Sequence, residues 1–240
     1  MLPRPVLLFR LAAGLALLLT ALRADVTPAA LFGDHAVLQE GLPLPVWGTA
    51  PDGEEVTVEF AGQRAQTLAQ DGRWMVRLAP VTAGGPYTMV ISGRNRIVFT
   101  DLLVGEVWLC SGQSNMEMRL GPKEGMQPVI NWPEAVATAD LPQLRCFTVP
   151  RVNSLTPKSQ TEGSWELSSP ATAPRFSAVA FFFGRALLQA RHVPIGLIHS
   201  SWGGSSAEAW MSGEALQQQP DFAEALAEQA LSLRDPVAAN

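Results

Sequence analysis

The stretch that decides the fold is Val107-Trp108-Leu109-Cys110-Ser111-Gly112-Gln113-Ser114-Asn115-Met116. An apolar run that reads as a buried strand breaks at Gly112 into a short polar turn. Glycine lets the backbone bend sharply. Ser114 then stands at the C-terminal end of the strand, the edge at which open α/β sheets bind ligands. If a helix starts there, the amides after Ser114 point outward and can meet a developing negative charge. The turn is not a Gly-x-Ser-x-Gly elbow, because Met116 stands where the second glycine belongs. On the pentapeptide alone, Ser114 reads either as a nucleophile or as a simple helix cap.

Downstream, Leu144 to Val149 is the next strand, and Pro150 to Pro174, rich in Ser, Thr and Pro, reads as a long loop. A helix is predicted over 177–190. Phe176, Val179, Ala180, Phe183 and Leu187 fall at helical spacing, and Ser177 stands at the cap position. Pro194 to His199 is a further buried strand, and Glu214 to Leu231 is helical with a break near Pro220. Strands alternating with helices imply a parallel sheet wrapped by helices. A second turn, Ser200-Ser201-Trp202-Gly203-Gly204-Ser205-Ser206-Ala207-Glu208-Ala209-Trp210, follows the last strand. Its paired glycines permit close backbone approach and offer N–H donors. The plain alternative is an ordinary strand-to-helix turn capped by Ser205 or Ser206.

Upstream, Val56–Phe60, Trp74–Leu78 and Tyr87–Ile91 alternate with period two. Pro51-Asp52-Gly53, Asp71-Gly72 and Gly84-Gly85-Pro86 punctuate them, and Asp71-Gly72 is a hairpin signal. The organisation expected is a leader over 1–24, a small all-β sandwich-like domain over 25–100, and an α/β domain over 101–240. The β region reads as scaffold or as a sugar-contacting module.

The leader has Arg4 and Arg10 before an apolar stretch, Leu11 to Leu22, that is short for a membrane span of about 20 residues. Ala24 is the expected last residue before cleavage, and an uncleaved anchor is the alternative. Cleavage removes Arg4, Arg10 and Arg23 and no acid, so the formal charge goes from −5 to −5 − 3 = −8. This acidic balance, with no basic run, argues against nucleic-acid partners. Export permits a disulfide, but Cys110 and Cys146 lie in apolar strand-like runs and are expected to be buried free thiols. No Cys/His cluster has metal-ligand spacing, and no cofactor is expected.

Taken together, Val107–Met118, Phe176–Arg185 and Pro194–Met211 resemble the sialate O-acetylesterase family, a branch of the SGNH hydrolases. Phe32-Gly33-Asp34-His35-Ala36-Val37-Leu38-Gln39 and Val46-Trp47-Gly48 resemble that family's N-terminal β-domain. The resemblance implies a flavodoxin-like three-layer α/β/α domain, incomplete here, and a secreted or periplasmic enzyme (lysosome-like if eukaryotic) with no stable membrane association once the leader is gone. It implies a serine esterase that takes O-acetyl groups from sugars, sialic acids foremost, through an acetyl-Ser114 intermediate. The Ser114 amide and that of Gly203 or Gly204 would hold the oxyanion. Gln113, Asn115 and Glu208 would organise the site or touch substrate, and Trp210 would stack on a sugar or pack in the core. The alternatives are a non-catalytic carbohydrate-binding protein using Trp202 or Trp210, and an acetylesterase for acetylated xylan or pectin.

The family's Asp-x-x-His motif is not found. The histidines are His35, His192 and His199, of which only His199 stands near the second turn, where strand-end packing is its expected role. A serine without an imidazole is a poor nucleophile. The chain is therefore expected to be a fragment of a longer gene, with natural truncation or a substitute base as the alternatives. Protein recovered from outside the cytoplasm is expected to begin at Asp25; recovery beginning at Met1 would establish an uncleaved leader.

Overall fold

The computed structural model describes residues 25–154 and 156–234; the leader-like segment 1–24 lies outside the described residues. Eight strands come first: β1 (Thr27–Pro28), β2 (Val37–Gln39), β3 (Leu44–Thr49), β4 (Glu55–Phe60), β5 (Gln63–Leu68), β6 (Arg73–Leu78), β7 (Gly84–Ser92) and β8 (Arg96–Gly112). They are followed by α1 (Ser114–Glu117), α2 (Trp132–Ala137), β9 (Leu141–Thr148), β10 (Trp165–Ser168), α3 (Ala178–Arg191), β11 (Ile195–Ser201), α4 (Gly213–Gln217) and α5 (Ala223–Arg234). None of the described helices is long and apolar enough to cross a membrane.

The Asp71-Gly72 turn forms as its sequence predicts. Both residues have positive φ, 52° and 71°, and Gln70 and Arg73 exchange backbone hydrogen bonds of 2.9 and 3.0 Å. This hairpin joins two sheets. β6 belongs to a three-stranded sheet ordered β1-β3-β6, and β5 closes an eight-stranded sheet ordered β10-β9-β11-β8-β7-β4-β5, with β2 also on β8. Val46, Val56, Val58, Trp74, Val76, Met89 and Ile91 fill the space between them.

β8 belongs to both halves of the large sheet. It pairs antiparallel with β7 up to Val104, parallel with β2 at Leu103–Gly105, and parallel with β11 from Glu106 to Gly112. The change of pattern after Asp101 thus falls inside one continuous strand. A Cβ on Gly105 would lie 2.0 Å from the Pro194 carbonyl oxygen, so only glycine fits where β11 joins. β8 is gripped by the 34–39 segment. Asp34 Oδ1 accepts from the Thr100 N–H at 2.6 Å and its hydroxyl at 3.0 Å, and Gln39 Oε1 accepts from the Val107 N–H at 3.0 Å. Asp101, at φ 55°, is clasped by His35 Nδ1 at 2.7 Å and by Arg145 Nη1 of β9 at 2.8 Å. Arg145 is 3% exposed, and its guanidinium holds the Asp101 carboxyl below the usual range.

Three strands, β9, β11 and β8, run parallel, as expected of the α/β part. Side chains alternate across them. Leu144, Cys146, Ile195 and Leu197 join α3 in one core, whereas Phe147, Trp165 and Ile198 join the core of the N-terminal strands. Trp165 also donates to the Leu31 carbonyl at 2.9 Å. Among the described residues, therefore, helices cover one face of the parallel strands, and the other face rests on the β region rather than on a second helical layer. Both cysteines are buried free thiols, and burial raises the pKa of each.

Three local expectations need correction: the buried face of α3, the long loop, and the burial of the strand that runs into Ser114. α3 starts at the predicted place, capped by the Ser177 hydroxyl accepting from Ala180 N at 3.2 Å, but its buried face is Ala178, Ala180, Phe181 and Gly184. Val179 and Phe183 are exposed. Gly184 decides this: a Cβ there would sit 2.6 Å from Leu197 and 2.8 Å from Leu144, so the helix approaches the sheet along the glycine. The long loop contains β10, too short to show alternation, paired antiparallel with β9. The C-terminal helix is α4 and α5, divided by a 3₁₀ turn at Pro220–Phe222, as the proline predicts. Beyond Gly105, β8 is paired on one side only among the described residues, by β11, and Trp108 and Leu109 are 42% and 69% exposed.

Removing the Asp101 carboxylate leaves a buried guanidinium short of its partner. Asp101→Ala is expected to lower stability by about 2–3 kcal/mol in urea unfolding, and Asp101→Asn, which tolerates the left-handed backbone and still accepts from Arg145, by less. Equal losses would show that the charge and the hydrogen bond do not hold β8.

Candidate active site

β8 ends at Gly112, whose φ is 144°, and Gln113 caps the single turn of α1. Ser114 is the first residue of that turn and is exposed. Its hydroxyl donates to Gln113 Oε1 at 2.8 Å and its N–H donates to the same oxygen at 3.0 Å. Asn115 is also exposed, and its side chain makes no hydrogen bond among the described residues.

The second turn is brought beside the first because β8 and β11 are neighbours in register, Ser201 opposite Gly112. The Trp202 N–H donates to the Gly112 carbonyl at 3.0 Å. The ideal Cβ position of Gly203 lies 3.5 Å from Ser114 Oγ and 2.7 Å from Glu117 Oε2, so a side chain at 203 would collide with the carboxylate beside the serine. Gly204 adopts φ 81°, a conformation that favours glycine. Ser205 Oγ donates to the Trp202 carbonyl and accepts from Trp210 Nε1, both at 2.7 Å, which fixes Trp210 across the turn while leaving it 44% exposed.

Two of the three amides expected to receive an oxyanion are engaged in the structure. That of Ser114 is held by Gln113, and that of Gly203 donates to the Glu117 carboxylate. Among the described residues only the Gly204 amide of the three makes no hydrogen bond. The short α1 also offers one turn of aligned peptides rather than a long dipole.

Glu117 is the residue that sequence reasoning missed. Its carboxylate accepts from Gly203 N–H, ion-pairs with Arg151 and lies 4.0 Å from Lys123 Nζ. The Gly203 hydrogen bond, and then Arg151, hold its carboxyl below the usual range. Arg151 also stacks over the Trp202 ring at 5.8 Å. The signal was its place three residues beyond Ser114; Arg151 carried none, standing in a stretch that read as loop.

A cleft of about 420 Å³ opens over the second turn, walled by Arg151, Val152, Trp202, Gly203, Gly204 and Trp210. Ser114 is not in its wall; it meets the cleft through Gly203. Gln113 and Asn115 flank Ser114 outside it. Glu208, on the 3₁₀ turn Ala207–Trp210, also lies outside, its carboxyl held low by the Ser206 hydroxyl.

None of the three histidines touches Ser114. His35 is paired with Asp101. His192 closes α3 at φ 56°. His199 is buried, its Nε2 2.6 Å from Ser201 Oγ and its ring edge-on to Phe176 at 5.4 Å, and burial depresses its basicity. No group of His, Cys, Asp and Glu among the described residues has a metal-binding arrangement.

A serine on a strand-to-helix turn thus stands against a glycine turn carried by the adjacent parallel strand, on an α/β fold. Residues 104–239 match the family described as carbohydrate esterase, sialic acid-specific acetylesterase, and the chain belongs to that family. The sialate O-acetylesterase of Homo sapiens is 34% identical over 211 residues, 77% of this chain and 38% of that protein. That of Pongo abelii is 33% identical over 210 residues, with the same shares. The crystal structure of a carbohydrate acetylesterase from Xanthomonas citri superposes with a TM-score of 0.76 at 40% identity, over 81% of this chain and 44% of that one. The chain thus spans 38% of the length of these curated relatives.

Because its carboxyl is depressed, the Glu117–Gly203 hydrogen bond is present above the ordinary glutamate range and is lost only as pH falls through the lowered value. The Gly203 amide proton resonance is expected to stay put as pH drops through the ordinary glutamate range and to move only below it. Titration at the ordinary glutamate value would remove Glu117 from this role.

Proposed function

We propose that this chain supplies the nucleophile of a serine esterase that removes O-acetyl groups from sugars, sialic acids foremost. The observation that carries the reading is Ser114 at the end of β8 with Gly203 beside its hydroxyl. The names of the relatives support the substrate class.

In the reaction, Ser114 Oγ bonds to the acetyl carbonyl carbon and its proton passes to a base. The tetrahedral oxyanion then collapses, the sugar hydroxyl leaves with a proton, and an acetyl-serine remains. Water attacks it and releases acetate. For the oxyanion to reach the amides of Ser114 and Gly203, Gln113 and Glu117 must yield them; Gly204 N–H is available as the structure stands. Each such donor is worth about 3 kcal/mol in barrier height. His35 and His199 are engaged elsewhere and His192 closes α3, so the base comes from outside them. Gln113, Asn115, Glu208 and Trp210 organise or contact the substrate, and the enzyme works outside the cytoplasm once the leader is removed.

The lack of a hydrogen bond between any histidine and Ser114 favours a second reading, a carbohydrate-binding protein without turnover that uses Trp202 and Trp210. Acetate release by protein expressed from the complete reading frame separates the two. Ser114→Ala is expected to lower the rate on acetylated sialic acid by roughly a hundred-thousand-fold, with binding retained. Unchanged turnover would remove Ser114 as nucleophile, and binding without any turnover by the wild type would establish the second reading. Rates on acetylated xylan set beside those on acetylated sialic acid decide the sugar.

A further inference from the structure

A second concavity, away from Ser114, lies on the outer face of the three-stranded sheet. It holds about 580 Å³, more than the cleft at the second turn. The register of β3 and β6 builds its floor: Trp47 lies opposite Met75, Pro45 opposite Arg77, and Thr49 opposite Arg73. An indole and a thioether thus make an apolar strip between two guanidinium groups. Met75 is 46% exposed and Leu68, at the rim, 56%. Gln70 and Gln160 add carboxamides to the wall, and no acidic residue lines it.

The polar groups here are unengaged. Neither Arg73 nor Arg77 is in an ion pair among the described residues. The Trp47 indole N–H has no hydrogen-bond partner among them, whereas the neighbouring Trp74 donates to the Thr49 carbonyl at 3.1 Å. Trp47 is braced by the edge of Phe32 at 4.8 Å. Two free cations beside an exposed apolar floor stand out on a chain of net charge −5. Apolar walls with a few convergent polar groups are the composition of small-molecule sites, and arginine forks match carboxylates.

We propose that this groove is a second carbohydrate site, which holds an acidic glycan. The C–H face of a pyranose ring packs on Trp47 and Met75, the Trp47 indole N–H and the glutamine carboxamides meet ring hydroxyls, and a sugar carboxylate pairs with Arg73 or Arg77. The site stands independently of the role of Ser114.

The test is a titration of the Ser114→Ala chain with 3′-sialyllactose, followed by the Trp47 indole resonance. Because this variant cannot turn over, failure here is separate from failure of the esterase reading. A saturable shift is expected, with lactose at least tenfold weaker. The Arg73→Ala/Arg77→Ala pair, both on exposed positions and checked for fold by circular dichroism, is expected to weaken sialyllactose at least tenfold and to leave wild-type acetate release from a small acetyl ester unchanged. Met75→Thr, on the floor, is expected to weaken it at least threefold. Free N-acetylneuraminic acid that shifts the same resonance supports a site for the acidic sugar itself. No shift, equal affinity for lactose, or full affinity in the arginine pair would overturn the proposal.

Discussion

Strand β8 is the constraint from which the rest of the structure follows. One strand must carry the antiparallel half of a sheet into the parallel half, and a left-handed residue, Asp101, sits at a register shift in its pairing with β7, just before the change. An aspartate in that conformation persists because its carboxylate is held twice, by the buried Arg145 of β9 and by His35. The same 34–39 segment reaches Thr100 and Val107, so β8 is fixed on both sides of the change. Ser114 lies one turn beyond the end of this strand. Its position is therefore set by packing in the β region as much as by the helices. Phe147, Trp165 and Ile198, on the opposite face of the parallel strands from α3, extend the same dependence.

The candidate site is organised around charge rather than around a histidine. Glu117 draws in a backbone amide from the second turn and two cations, and each contact favours its ionised form. The cost is that the Gly203 N–H is not free. An oxyanion is the one kind of group that can compete for it on equal terms, because it too is negative and a strong acceptor. Arg151, which neutralises Glu117 and stacks on Trp202, joins that exchange to the wall of the cleft.

The parts legible in the sequence were those in which local chemistry decides. Asp71-Gly72 is a hairpin because both residues tolerate positive φ, and Ser177 caps α3 because its hydroxyl reaches Ala180. Pro220 breaks the last helix by lacking an N–H. What escaped depends on distant partners. Ala178 to Phe183 is apolar all round, so periodicity alone had no face to choose; Gly184 meeting Leu144 and Leu197 chose it. The 32–39 motif was visible as a resemblance, but that its polar groups grip β8 was not, since Asp34 and Thr100 are distant in sequence. At the site, Ser114 and Gly203 were legible as turn residues and the cleft's Arg151 was not.

None of the three histidines is hydrogen-bonded to Ser114. A catalytic imidazole must stay solvated enough to be basic and must reach the serine hydroxyl. His199 is the nearest by position in the sheet and fails on both counts: burial lowers its basicity, and its Nε2 is held by Ser201. Moving it would remove a buried polar contact and the edge-on packing against Phe176, under the strand that carries the second turn. Its role is thus packing at the end of that strand, as its place in the sequence suggested.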